Sequence, residues 1–222
     1  MGKIAFLVSC LLLAATAAMA ADIVTVPTAN QLGANQVDLA YYWINLDLGP
    51  RAPSELHFNT LYVGLTDWLE IDAHRDKPGG GSSRTIWNAT ALVLKENQRN
   101  PNVVIGGRNL EGQGCKTSWF VSAAKTVLAP VGGPPSLQSP VVRLHLSAGT
   151  DDWTLLGEKR HEGIFGGVQA LLDPRLGLVA LYDGQDMIYA LTYTHTPKWP
   201  TLKIGKLGKH DWVGISYTFM PK

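Results

Sequence analysis

Hydrophobic and polar positions alternate with a period of two along most of this chain, most clearly between Gly163 and Phe219. In the last segment Val213, Ile215, Tyr217 and Phe219 share one face, and Trp212, Gly214, Ser216 and Thr218 the other. Met187, Tyr189, Leu191 and Tyr193 likewise oppose Ala190, Thr192 and Thr194. A period of two with one apolar face and one small or polar face predicts a strand. The turn-forming Asp173-Pro174-Arg175 and Gly184-Gln185-Asp186 predict hairpins between such strands. The same pattern predicts strands at 36–46, 55–65, 68–74, 85–95, 102–109, 117–127 and 141–149, followed by 164–172, 176–183, 187–195, 201–207 and 212–219. Faces are least clear in the second, fourth and sixth segments.

Twelve segments in a hairpin series predict an all-β fold: an antiparallel up-and-down transmembrane β-barrel of about 12 strands. An even count puts both termini on one side, expected to be the periplasm of a Gram-negative cell. The segments are close to the roughly 9–11 residues that a tilted strand needs to cross a bilayer. Trp43, Trp68, Trp119, Tyr182, Tyr193, Trp212 and Phe219 lie near segment ends and suggest interfacial girdles. A soluble β domain with an aromatic core is the plainer reading of the same pattern.

The first twenty residues favour the membrane reading. Lys3, the apolar run Ile4–Leu13 and Ala18-Met19-Ala20 form a secretory signal peptide, with cleavage expected before Ala21. Leu7-Val8-Ser9-Cys10 resembles a lipoprotein signal, but the apolar run continues past the cysteine. The expected organisation is a signal peptide at 1–20, a lead-in at 21–35 and a barrel domain at 36–222. The cleaved chain of 202 residues balances eighteen basic against eighteen acidic side chains, so nothing points to nucleic acid. Only Cys115 remains, which excludes an intramolecular disulfide. No later apolar run approaches the roughly 18 residues of a membrane helix.

If the apolar faces meet lipid, the opposite faces line the lumen. The polar candidates are then Asp38, Glu70, Asp72, His74, Arg108, Arg143, His145, Gln169 and Asp183. Buried charges need partners, so acidic and basic groups are expected to pair across a filled interior. The functional alternative is a polar pore or a glycan-contacting lumen. An enzyme would need a nucleophile and base within hydrogen-bond reach. His145 and Ser147 share a face, with Asp72 or Glu70 as possible acidic partners, but no Gly-x-Ser-x-Gly elbow occurs. No catalytic residue is assigned. The histidines, His74 and His145 among them, lack metal-ligand spacing, and no metal or cofactor is expected.

Several short motifs carry a family resemblance. Phe165-Gly-Gly-Val168 followed by Leu178-Val-Ala-Leu-Tyr-Asp-Gly184 resembles the YjbH-like exopolysaccharide-biosynthesis outer-membrane barrel proteins. Val26-Pro-Thr-Ala29 with Gly33, Gly64-Leu-Thr-Asp67 with Leu69-Glu70, and Gly214-Ile-Ser-Tyr217 extend it across the chain. Leu181 stands where that family's motif has a glutamate. The resemblance implies a small member with a structural or transport role in export or assembly of surface polysaccharide. Expected partners are outer-membrane lipid, exported polysaccharide and envelope assembly proteins. The alternatives are a barrel enzyme acting on lipid or glycan, and a soluble secreted carbohydrate-binding β-sandwich.

Overall fold

The computed structural model describes residues 26–46, 54–78, 83–112, 116–130, 133–150, 154–155, 158–196 and 198–221. The signal peptide, residues 21–25 of the lead-in and Cys115 lie outside the described residues. The regular elements are β1 (Val37–Asn45), β2 (Glu55–Gly64), β3 (Leu69–Pro78), β4 (Arg84–Leu94), β5 (Asn102–Arg108), β6 (Ser118–Leu128) and β7 (Val141–Thr150). A short hairpin, β8 (Thr154–Leu155) and β9 (Glu158–Lys159), interrupts the next connection. The chain continues as β10 (Glu162–Leu171), β11 (Leu176–Tyr182), β12 (Met187–Thr194), β13 (Thr201–Leu207) and β14 (His210–Phe219).

Twelve of these strands form one closed antiparallel barrel in which each long strand pairs with its neighbours in the chain. β1 closes on β14 in register from Val37 opposite Phe219 to Ile44 opposite Trp212. Closure leaves no sheet edge, which overturns the β-sandwich alternative. The terminus end is where β1 starts and β14 finishes; the other is the far end.

The barrel is inverted relative to a soluble protein. Leu146 is 63% exposed and Ile204 53%, whereas Asp38 and His74 are each 1% exposed. Outward positions of β7 are Leu144, Leu146 and Ala148, against inward Arg143, His145 and Ser147. Soluble proteins rarely bury Asp, Glu, Arg and Lys or expose a continuous apolar surface. An apolar outer band around a polar interior is what a lipid solvent selects. Exposed Trp87, Trp119 and Tyr182 sit toward the far end; Trp68, Tyr193 and Tyr217 sit toward the terminus end. Trp212, expected in a girdle, is instead 1% exposed inside the barrel, where it meets Tyr42 edge-on at 5.8 Å.

The ambiguous faces now have physical reasons. β2 turns Leu56, Phe58, Thr60 and Tyr62 inward. Half of that inward set is apolar, so the contrast with the outward face is lost. β4 turns Ile86, Asn88 and Thr90 inward, then loses its phase at a register shift between Leu92 and Leu94. β6 has a similar shift between Thr126 and Leu128. β3 continues past His74 to Pro78: Asp76 remains inside, but exposed Arg75 and Lys77 hide the alternation.

Candidate functional site

The interior has an apolar layer, a polar region toward the terminus end and a charged mouth at the far end. At the far end Tyr42, Ile44, Phe58, Phe165, Leu181 and Trp212 belong to one buried apolar cluster. Toward the terminus end the inward positions are polar. All nine sequence candidates are inside, exposed by 8% or less, but they fall into separate groups rather than one site.

Asp72 receives the amide of Asn88 at 2.5 Å and pairs with His74 Nε2 at 2.6 Å. The Tyr62 hydroxyl lies 3.2 Å from the same His74 nitrogen. Asp38 accepts a hydrogen bond from Thr218 at 2.7 Å and feels the charge of Lys203. Lys203 donates to the Tyr42 hydroxyl at 3.0 Å and sits 5.3 Å from that ring's centroid. Arg143 pairs with Glu96 at 2.9 Å. The pairs Asp72–His74 and Arg143–Glu96 offset part of the cost of burying those charges.

His145 Nε2 lies 2.9 Å from Gln169 Oε1. That oxygen also accepts from Asn30 Nδ2 at 3.0 Å, so the imidazole proton is assigned to Nε2. Ser147 bonds Ser122 at 2.5 Å and donates to the Pro27 carbonyl at 3.2 Å. His145 and Ser147 are therefore engaged separately and do not form a relay. Among the described residues no cluster of three or more His, Cys, Asp or Glu side chains is placed to hold a metal.

Asp183 and Arg108 belong to the far-end mouth. The Asp183 carboxylate accepts from Arg160 Nη1 at 2.5 Å and caps its own turn through the amides of Gln185 and Asp186. Arg160 also pairs with Asp186 at 2.8 Å. Arg108 lies 3.3 Å from His161 Nδ1 and 5.7 Å from the Phe120 centroid. Burial, reinforced by Arg108 and Arg160, holds the His161 imidazole well below its ordinary pKa. These contacts fold the end of the β7–β10 connection into the barrel mouth.

The lead-in also belongs to the interior. Its described part, Val26–Asn35, runs inside the barrel. Val26 packs in the far-end apolar cluster, Ala29 packs with Val104 and Ala124, and Leu32 packs with Tyr62. Asn35 N reaches Gly64 O at the terminus-end rim, 2.8 Å away. Between segment and wall a cavity of about 10 Å³ remains, at the lower limit for one water.

Sequence reasoning missed Asp76, Lys203, Arg160, His161 and Ser122. The signal for Lys203 was available, because Thr201, Lys203 and Gly205 oppose Leu202 and Ile204. Asp76 lay beyond the expected end of its strand. Arg160 and His161 precede β10 in a connection with no periodic signal.

An apolar belt around a closed, polar-lined antiparallel barrel defines a transmembrane β-barrel of the outer-membrane type. No family model matches the chain, and no curated protein matches it. Among solved structures it is similar to a KdgM porin, with a TM-score of 0.52 at 12% sequence identity. The match covers 83% of this chain and 99% of the porin chain. At that identity the likeness is one of fold.

Proposed function

We propose that this protein is a bacterial outer-membrane β-barrel with a structural or transport-related role in export or assembly of surface polysaccharide. The observation that carries the membrane reading is the inverted barrel, with Leu146 and Ile204 outside and Asp38 and His74 inside. The transport element is supported by the fold shared with a porin. The polysaccharide element rests on the YjbH-like motifs alone. The reading is non-enzymatic, because His145 and Ser147 are committed to Gln169, Ser122 and Pro27. With Val26–Asn35 in place the lumen is occupied, so the resting barrel is a closed one.

The test begins with fractionation and heat-modifiability. A heat-dependent gel shift in the outer-membrane fraction is expected; recovery only from the soluble periplasm would sink the reading. In planar bilayers the intact chain is expected to conduct ions poorly. Exported polysaccharide is then compared between a deletion strain and its complement, with reduced or altered export expected in the deletion.

A further inference from the structure

Six adjacent strands of the barrel present hydrogen-bonding groups to Val26–Asn35. Glu70 on β3 accepts from Leu32 N at 2.8 Å. On β4 the Thr90 carbonyl accepts from Gln31 at 2.9 Å, and on β5 Asn102 donates to Ala29 O at 3.2 Å. Ser147 on β7 donates to Pro27 O at 3.2 Å, and Ser122 on β6 donates to Ser147 at 2.5 Å. Gln169 on β10 accepts from Asn30 at 3.0 Å. At the rim Asp67 accepts from Ala34 N at 3.2 Å.

Three of the five direct wall contacts read the segment's backbone: the carbonyls of Pro27 and Ala29, and the amide of Leu32. A wall that satisfies main-chain groups recognises an extended polypeptide as such. Asn30, Gln31 and the small Ala29 add selectivity, in the manner of other extended-peptide sites. The segment pairs with no strand as a ladder. Its apolar anchors are Val26, Ala29 and Leu32, and the polar wall beneath it can be hydrated when it leaves, which keeps the net cost of each exchanged hydrogen bond modest. Its exit at the rim depends on Gly64, where a Cβ would lie 2.1 Å from Gly33 O.

We infer that the lumen wall from β3 to β10 is a binding site for an extended polypeptide, which the chain's own Val26–Asn35 occupies as a tethered, exchangeable plug. The inference goes beyond the proposed envelope role and can hold or fail independently of any link to polysaccharide. The apolar layer at the far end remains when the plug leaves, so exchange opens a vestibule from the terminus end rather than a through-pore.

The test is thiol protection in the refolded barrel. Ala124, 1% exposed and packed on Ala29, is replaced by Cys in a Cys115→Ser background and treated with a cationic methanethiosulfonate. Modification is expected to be slow in the full chain. It should accelerate by roughly tenfold or more when residues 26–32 are deleted, because the rate follows the open population. A synthetic peptide Val-Pro-Thr-Ala-Asn-Gln-Leu-Gly-Ala-Asn should restore protection, and a scrambled peptide should not. Gly64→Ala, which crowds the segment without deleting it, should accelerate modification in the full-length chain. Equal rates with and without the segment, or no protection by the peptide, would overturn the inference. So would failure of both variants to give the heat-shifted folded band, since the segment would then be core rather than ligand.

Discussion

The two halves of the lumen are filled by different chemistry. Toward the far end Ile44, Phe58, Leu181 and Trp212 close the barrel as an apolar core would. Toward the terminus end the wall is polar, and much of it is satisfied by a segment of the same chain. The first half gains from removing apolar surface from water and from close packing, so its stability depends on volume. The second exchanges hydrogen bonds with water for hydrogen bonds with protein, a smaller net gain per contact. The far end is therefore the structural lock of the barrel, and the terminus end is the part that can open.

The largest effect should come from the apolar layer. Phe58→Ala removes a fully buried ring and is expected to cost about 3–5 kcal/mol, read as a lower urea midpoint for loss of the heat-shifted band. A cost no larger than that of a single polar contact would break the distinction between the halves. Arg160→Ala comes next. It leaves the Asp183 carboxylate, 2% exposed at the side chain, without its cation, and breaking such a buried pair costs roughly 3 kcal/mol. Urea unfolding measures it, and Arg160→Lys should recover part of the loss.

Ser147→Ala, at the wall contact to Pro27, is expected to cost about 1 kcal/mol, the value of a typical hydrogen bond. Its second signature is faster thiol modification at position 124, which Phe58→Ala should not produce at matched stability. The smallest effect belongs to the outer face. Lys206 and Asp211 pair at 2.8 Å but are 57% and 65% exposed. Lys206→Ala should change stability by less than about 1 kcal/mol, which a double-mutant cycle with Asp211→Ala would measure.

Much of this architecture was legible because alternation is a local property. A strand sends successive side chains to opposite faces, so Val213, Ile215 and Tyr217 declare an outer face whatever surrounds them. The inward set Asp38, Glu70, Asp72, Arg143 and His145 follows from the same phase. Legibility failed where the environment, rather than the strand, sets polarity. Leu56 and Phe58 face inward because the far-end lumen is apolar, and Arg75 and Lys77 face outward on the final turns of β3. At the β4 and β6 register shifts the period itself breaks. Leu181 fits the same logic: it sits at 0% exposure in the apolar layer, where a glutamate would lack a polar surrounding.

The sequence by itself determined the strand series, its antiparallel connectivity and the inversion of polar and apolar faces, since each depends on residues a few positions apart. Only the tertiary structure decided how the lumen is filled. Val26–Asn35 has no periodicity to read, and its partners lie as far as 139 residues away along the chain. The latch from Arg160 to Asp183 and Asp186 joins the connection before β10 to the turn after β11. The contacts of Val26–Asn35 exist only once closure brings the strands around one axis, and no local pattern encodes which polar groups will then face each other.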